Sequence, residues 1–111
     1  MKQLGDFTLK LSSKREMPVE ILVDNENTMI IIDCGCCEEY LSSRLPGGVL
    51  IPIASALKTF FGERGMRNID VTVSGIRMRR TYKGLMDPVD VPQMVKELES
   101  AVSKFSRKKK V

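Results

Sequence analysis

Apolar and polar residues alternate with period two along several short stretches of the chain, and recur at intervals of three and four near its C-terminus. The first pattern belongs to strands with one buried face, the second to an amphipathic helix. Phe7, Leu9 and Leu11 alternate with Thr8 and Lys10, which predicts a strand over Asp6–Leu11, and the charged break Ser12–Glu16 should then turn the chain. Pro18–Asp24 and Met29–Asp33 are two further strand candidates. Asn25-Glu26-Asn27 between them suits a tight reversal, so the pair reads as a hairpin. Ile30, Ile31 and Ile32 are consecutive and β-branched, which predicts a strand covered on both faces and central in its sheet.

Glu38–Ser43 reads either as a short helical turn or as part of an exposed connection ending at Leu45-Pro46-Gly47-Gly48, and Val49–Ile53 as another short strand. From Ile53 the apolar residues recur at Ala56, Leu57, Phe60 and Phe61, which predicts a helix stopped by Gly62, with Glu63–Arg67 a charged loop beyond it. Ile69, Val71 and Val73 then alternate with Asp70, Thr72 and Ser74. After Gly75 the phase slips by one residue, and Ile76 and Met78 take the apolar positions. A bulge or bend at Gly75 would absorb the slip, so Asn68–Lys83 is expected to be one long, bent strand. Finally, Val91, Met94, Val95, Leu98, Ala101, Val102 and Phe105 form a single helical stripe. Asp90 and Gln93 have capping-box spacing and Pro92 lies in the first turn. These elements predict one α+β domain over residues 1–105. It comprises a mostly antiparallel sheet of about four to six strands, the C-terminal helix packed on one face, and a shorter second helix. Residues 106–111 are expected to form a flexible basic tail.

A chain of 111 residues can bury an ordinary core without disulfides or metal. Its 42% hydrophobic and 29% charged content argues against disorder of the whole chain. The longest apolar run, Val49–Leu57, contains Pro52 and Ser55 and is too short to span a bilayer, so no membrane partner is expected. The N-terminal residues lack the apolar segment of a signal peptide and are expected to belong to the mature chain. The three cysteines, Cys34, Cys36 and Cys37, are an odd number crowded together, which disfavours a secreted disulfide framework and points to the cytoplasm.

Charge adds the most informative feature. Residues 1–45 carry five basic and eight acidic side chains, whereas residues 46–111 carry thirteen and six. Arg77, Arg79, Arg80 and Lys83 lie on or beside one wet stretch of the expected bent strand, with Tyr82 among them, and Arg107, Lys108, Lys109 and Lys110 crowd the C-terminus. If brought to one side of the sheet, these cations would line a groove able to neutralise phosphates while Tyr82 stacks on a base. Only four Phe and two Tyr, and no Trp, are present to build such a platform. The expected partner is therefore a nucleic acid or an acidic protein. The alternative is an interaction adaptor or homo-oligomeric subunit, in which the acidic half of one copy meets the basic half of the next in a heterologous contact.

Catalysis has little to draw on. The chain has no His, and no pair of carboxylates stands apart from ordinary surface charge. Leu45-Pro46-Gly47-Gly48 has neither the Walker nor the Rossmann spacing. A closed zinc site takes four Cys or His ligands, so Cys34, Cys36 and Cys37 would need Asp33, Glu38, Glu39 or a second subunit to complete one. Acidic neighbours would raise the thiol pKa values and oppose a redox role, and the three read best as small apolar residues at a strand end. The expectation is a non-enzymatic binding module with no cofactor.

The order of a basic strand, a turn at Lys83-Gly84 and a helix opening at Asp90-Val91-Pro92-Gln93 resembles the end of the positive-cofactor transcription coactivators and of the Pur-type repeats. The likeness covers at most residues 68–111 and rests on element order, without a diagnostic motif. It implies a small β-rich module closed by a helix that binds single-stranded nucleic acid, commonly as a dimer. The helix-like Ile53–Phe61 segment departs from the strand series of those families.

Overall fold

The computed structural model describes residues 1–12, 15–33, 50–74 and 77–109. The alternating stretches become five strands: β1 (Lys2–Ser12), β2 (Arg15–Val23), β3 (Asn27–Asp33), β4 (Arg67–Ser74) and β5 (Arg77–Lys83). The segments with helical spacing become α1 (Leu50–Glu63) and α2 (Val91–Lys109). One sheet holds all five strands in the order β1-β2-β3-β5-β4, each neighbouring pair antiparallel. The architecture is α+β, as the periodicities predict.

Period-two alternation decides which face is covered. On β3, Thr28, Ile30 and Ile32 are buried while the residues between them are only half-buried. Their cross-strand partners share that face: Val19 and Ile21 on β2, and Met78 and Tyr82 on β5, all buried. Onto it α1 brings Ile53, Leu57, Phe60 and Phe61, and α2 brings Met94, Leu98 and Val102. At about 1.5–3 kcal/mol for each large side chain removed from water, these seven make both helices integral to the fold. The other face of the sheet carries no helix among the described residues. β3 is central, as its isoleucines predict, but no helix or strand among the described residues covers its second side.

The expected single bent strand over Asn68–Lys83 is instead the β4–β5 hairpin, in which Val73 faces Met78 and Ser74 faces Arg77. At roughly 3.3 Å per residue one strand of that length would run to about 50 Å. The longest dimension of the molecule is 42 Å. A reversal also converts the phase slip into ordinary pairing, because Val71 and Val73 on β4 oppose the even-numbered Arg80 and Met78 on β5. A one-residue bulge does occur, between Asn68 and Asp70. The amide of Asn68 donates there to the Asp70 and Thr81 carbonyls at 3.2 and 3.3 Å.

Both ends of α1 and the capping of α2 differ from expectation. Helix α1 begins at Leu50, so residues 50–53 of the expected strand are helical, Val49 lying outside the described residues; Pro52 sits in the first turn, where a missing N–H breaks no intrahelical bond. The helix runs to Glu63 and is stopped by Gly65 (φ 69°) rather than by Gly62. The Met66 N–H reaches the Phe61 carbonyl at 2.9 Å and the Gly65 N–H the Gly62 carbonyl at 3.0 Å, the paired bonds of a Schellman stop. Before α2, Asp87 caps a short 3-10 turn, Pro88–Asp90, by accepting from the Val89 N–H at 3.0 Å. Asp90 instead accepts from Arg64 Nε at 3.1 Å, and Gln93 turns along the helix toward Glu97. Of the predicted stripe, Val91, Met94, Leu98 and Val102 pack in the core, whereas the side chains of Leu11 and Phe105 and the segment 34–49, with Cys34, Cys36 and Cys37, lie outside the described residues.

Two polar contacts lock the connections. Asp24 Oδ1 accepts from the Glu26 and Asn27 N–H groups at 2.7 and 2.6 Å, closing the β2–β3 turn, and these bonds hold its carboxyl below the ordinary 3.8. Fully buried Thr28 donates its hydroxyl to the Gly84 carbonyl at 2.8 Å and accepts from the Met86 N–H at 2.9 Å, tying the β5–α2 connection to the central strand.

Candidate interaction face

The open face can be read from the strand register as rows of side chains crossing the sheet. One row runs Asp6, Glu20, Ile31, Arg79, Thr72 from β1 to β4. A second runs Gln3, Leu22, Met29, Thr81, Asp70. Thr8 opposite Pro18, and Asp33 opposite Arg77, begin a third. Cross-strand partners project to the same side, so the column on β3 is half-buried Met29, Ile31 and Asp33, with Leu22 beside it. Asp6 and Glu20 lie toward the β1 edge, Arg77 and Arg79 toward the β4 edge, and Lys83 extends the basic column on β5.

This face is charged, but it is not a basic patch. Arg77 Nε lies 3.8 Å from the Asp33 carboxylate and an Arg79 Nη 3.9 Å from that of Asp70. Arg79 also reaches Thr72 Oγ1 at 3.4 Å. Such exposed pairs at long range contribute about 1 kcal/mol or less, so either arginine can exchange its partner at little cost. Glu20 and Asp6 are direct cross-strand neighbours with no ion-pair partner among the described residues. Like charges so placed repel. They border a shallow hollow of about 320 Å³ whose lining also includes Pro18, Asp33 and Arg77.

The sequence-predicted cationic set divides between the two layers. Arg77, Arg79 and Lys83 stand together on the open face, and all three are exposed. Arg80 and Tyr82 occupy the alternate positions of β5 and turn to the helix side. Tyr82 is 1% exposed, stacked on Phe61 with ring centroids 3.9 Å apart, so its ring is closed to any base. Its hydroxyl and Arg80 Nε are buried without hydrogen-bond partners among the described residues. Burial raises the Tyr82 pKa above its ordinary value of 10.0, and the neighbouring Arg80 opposes the rise. Arg107, Lys108 and Lys109 continue α2, which lies on the helix side along β1: Val91 sits beside Gly5, and Glu99, Val102 and Ser103 beside Thr8, Leu9 and Lys10. Lys110 lies outside the described residues. The strand set therefore splits, Arg77, Arg79 and Lys83 to the open face and Arg80 and Tyr82 to the helix side, while the side chains of Arg107, Lys108 and Lys109 also lie outside the described residues.

Sequence reasoning missed the acidic and apolar parts of this face, Asp6, Glu20, Leu22, Met29, Ile31 and Asp33. A signal was present. Leu22 alternates out of phase with Val19, Ile21 and Val23, and Ile31 with Ile30 and Ile32, yet a run of isoleucines reads more simply as a strand covered on both sides.

No family model, no curated protein and no solved structure matches this chain. The likeness to the coactivators and Pur-type repeats rests on a single bent strand before the helix, where the structure has a two-stranded hairpin. Among the described residues no helix is long and apolar enough to cross a membrane, and no group of His, Cys, Asp and Glu is arranged to hold a metal ion.

Proposed function

We propose that this protein is a non-enzymatic protein-binding module that docks its partner on the open sheet face. The observation that supports this reading is the half-buried column Met29, Ile31 and Asp33, flanked by acidic side chains on one side and arginines on the other. A surface of that kind offers an apolar centre with a charged rim of both signs, the layout of a protein interface. A phosphate-tracking surface would be of one sign and would expose an aromatic ring, whereas here each arginine already faces an aspartate and Tyr82 is buried.

Two measurements test the reading together. In fluorescence anisotropy with labelled single-stranded DNA, single-stranded RNA and duplex DNA, binding is expected to be weak, indifferent to form and lost at physiological salt. Salt-resistant binding that prefers one form would replace the protein-docking reading with a nucleic-acid one. In affinity capture from an extract of its own cells, wild type is expected to retain a discrete set of proteins that the folded Ile31→Lys variant loses. An unchanged set would remove the open face from the proposal.

A further inference from the structure

The open face bears a symmetry in its charges that the linear sequence conceals. Resting on the docking role proposed for that face, we propose that its partner is a second copy of this chain, stacked face to face about a twofold axis running along β3. The row Asp6–Glu20–Ile31–Arg79–Thr72 is centred on Ile31, with Glu20 one strand to one side and Arg79 one strand to the other. Strands are about 4.8 Å apart, so the two charges stand at equal distances from β3. A twofold axis along β3 in the plane of contact exchanges left and right. It sets Glu20 of one copy against Arg79 of its mate and repeats the pair with the copies reversed. Ile31 meets Ile31, and Met29 meets Met29. In the neighbouring row Leu22 comes opposite Thr81.

Each charge then acquires what it lacks in the single chain. Glu20, crowded by Asp6 and without a cation among the described residues, gains one. Arg79 exchanges a 3.9 Å surface contact with Asp70 for a partner in a water-excluded contact. Asp33 falls on the axis opposite its own copy, and Arg77, 3.8 Å from it in each chain, offsets the repulsion between the two carboxylates. Sheets packed in this way lie about 10 Å apart with strands within about 30° of each other, the axis bisecting that angle between the two β3 strands, which lets the central isoleucines and methionines interdigitate. The contact is isologous, so it closes at two copies. Such a contact forms no ring or open filament, in contrast to a joint between the acidic half of one chain and the basic half of the next, because both signs share one self-complementary face. The footprint of five strands by three rows is small for a specific interface, so the dimer is expected to form in the micromolar range and to weaken with salt.

The test is a charge swap followed by sedimentation velocity from micromolar to submillimolar concentration. Wild type is expected to shift from monomer to dimer over that range. Glu20→Arg and Arg79→Glu should each raise the dissociation constant at least about tenfold, since each brings like charges together twice. Mixing the two variants should restore a mixed dimer, because the arginine introduced in one chain then meets the glutamate introduced in the other. The same circular dichroism as wild type for each variant, together with recovery on mixing, excludes misfolding as the cause of loss. Wild type that stays monomeric throughout overturns the inference, as does a mixture that stays monomeric. A dimer that survives both single variants belongs to another surface, such as the β4 edge, and overturns it equally. If wild type is monomeric but Ile31→Lys still loses a captured partner, the docking role of the face stands and only self-association falls.

Discussion

At the scale of single residues, Tyr82 shows how a side chain's neighbourhood overrides its chemistry. In the sequence it sits among Arg79, Arg80 and Lys83 as an aromatic beside cations. In the fold the alternation of β5 turns it toward the helices, where its ring lies nearly parallel to Phe61 at an interplanar angle of 14°. Its hydroxyl is left buried and unpartnered among the described residues, a cost that Phe would not carry. Tyr82→Phe is therefore expected to leave stability unchanged or raise it by about 1 kcal/mol in urea unfolding at neutral pH. The pH dependence has a definite sign. Burial raises the folded-state pKa above the ordinary 10.0, so the neutral phenol's contribution is complete below pH 10 and declines as pH rises through the folded-state value. Above pH 10 wild type should lose stability faster than Tyr82→Phe. Equal slopes for the two would mean that the hydroxyl is solvated in solution.

At the scale of elements, β4 stands out as an edge strand with apolar side chains in water. Ile69, Val71 and Val73 are 45%, 46% and 52% exposed, because α1 and α2 cover the sheet over β1, β2, β3 and β5 and leave the outermost strand bare. An open edge of this composition is a template for unwanted pairing, and the bulge at Asn68–Asp70 limits its length. Val73→Lys should change stability by no more than about 0.5 kcal/mol and lower aggregation on heating. Light scattering during a thermal ramp checks this. A loss of several kcal/mol would instead show that Val73 packs against something in solution. The strand assignments themselves were legible in the alternation of Phe7 and Leu9 with Thr8, and of Val71 and Val73 with Thr72. The hairpin within Asn68–Lys83 was not, since a bulge and a reversal absorb the same one-residue change of phase; the choice depends on what lies alongside to pair with each half.

At the scale of the whole molecule, one helix layer and one five-stranded sheet share a single core, and α2 supplies a large part of it. Removing the chain from Asp87 onward would expose Ile21, Ile30 and the other side chains of the sheet face along with those of α1. Met94, Leu98 and Val102 alone are worth about 1.5–3 kcal/mol each, comparable in sum to the whole stability of a small domain. The truncated chain is expected to lose its cooperative thermal transition, as followed by far-ultraviolet circular dichroism. A retained sharp transition would mean that the sheet and α1 fold without α2.

Local periodicity by itself determined the α+β class, the C-terminal helix, the central place of β3 and most of the buried set, because period and side-chain size are properties of neighbouring residues. Strand partnership was decided only by the tertiary structure. It placed Glu20 and Arg79, far apart in the chain, on either side of Ile31, and turned Arg80 and Tyr82 away from Arg77 and Arg79. The physical reason is that alternation shows which residues of one strand share a face, whereas the register between strands selects which residues of different strands share it.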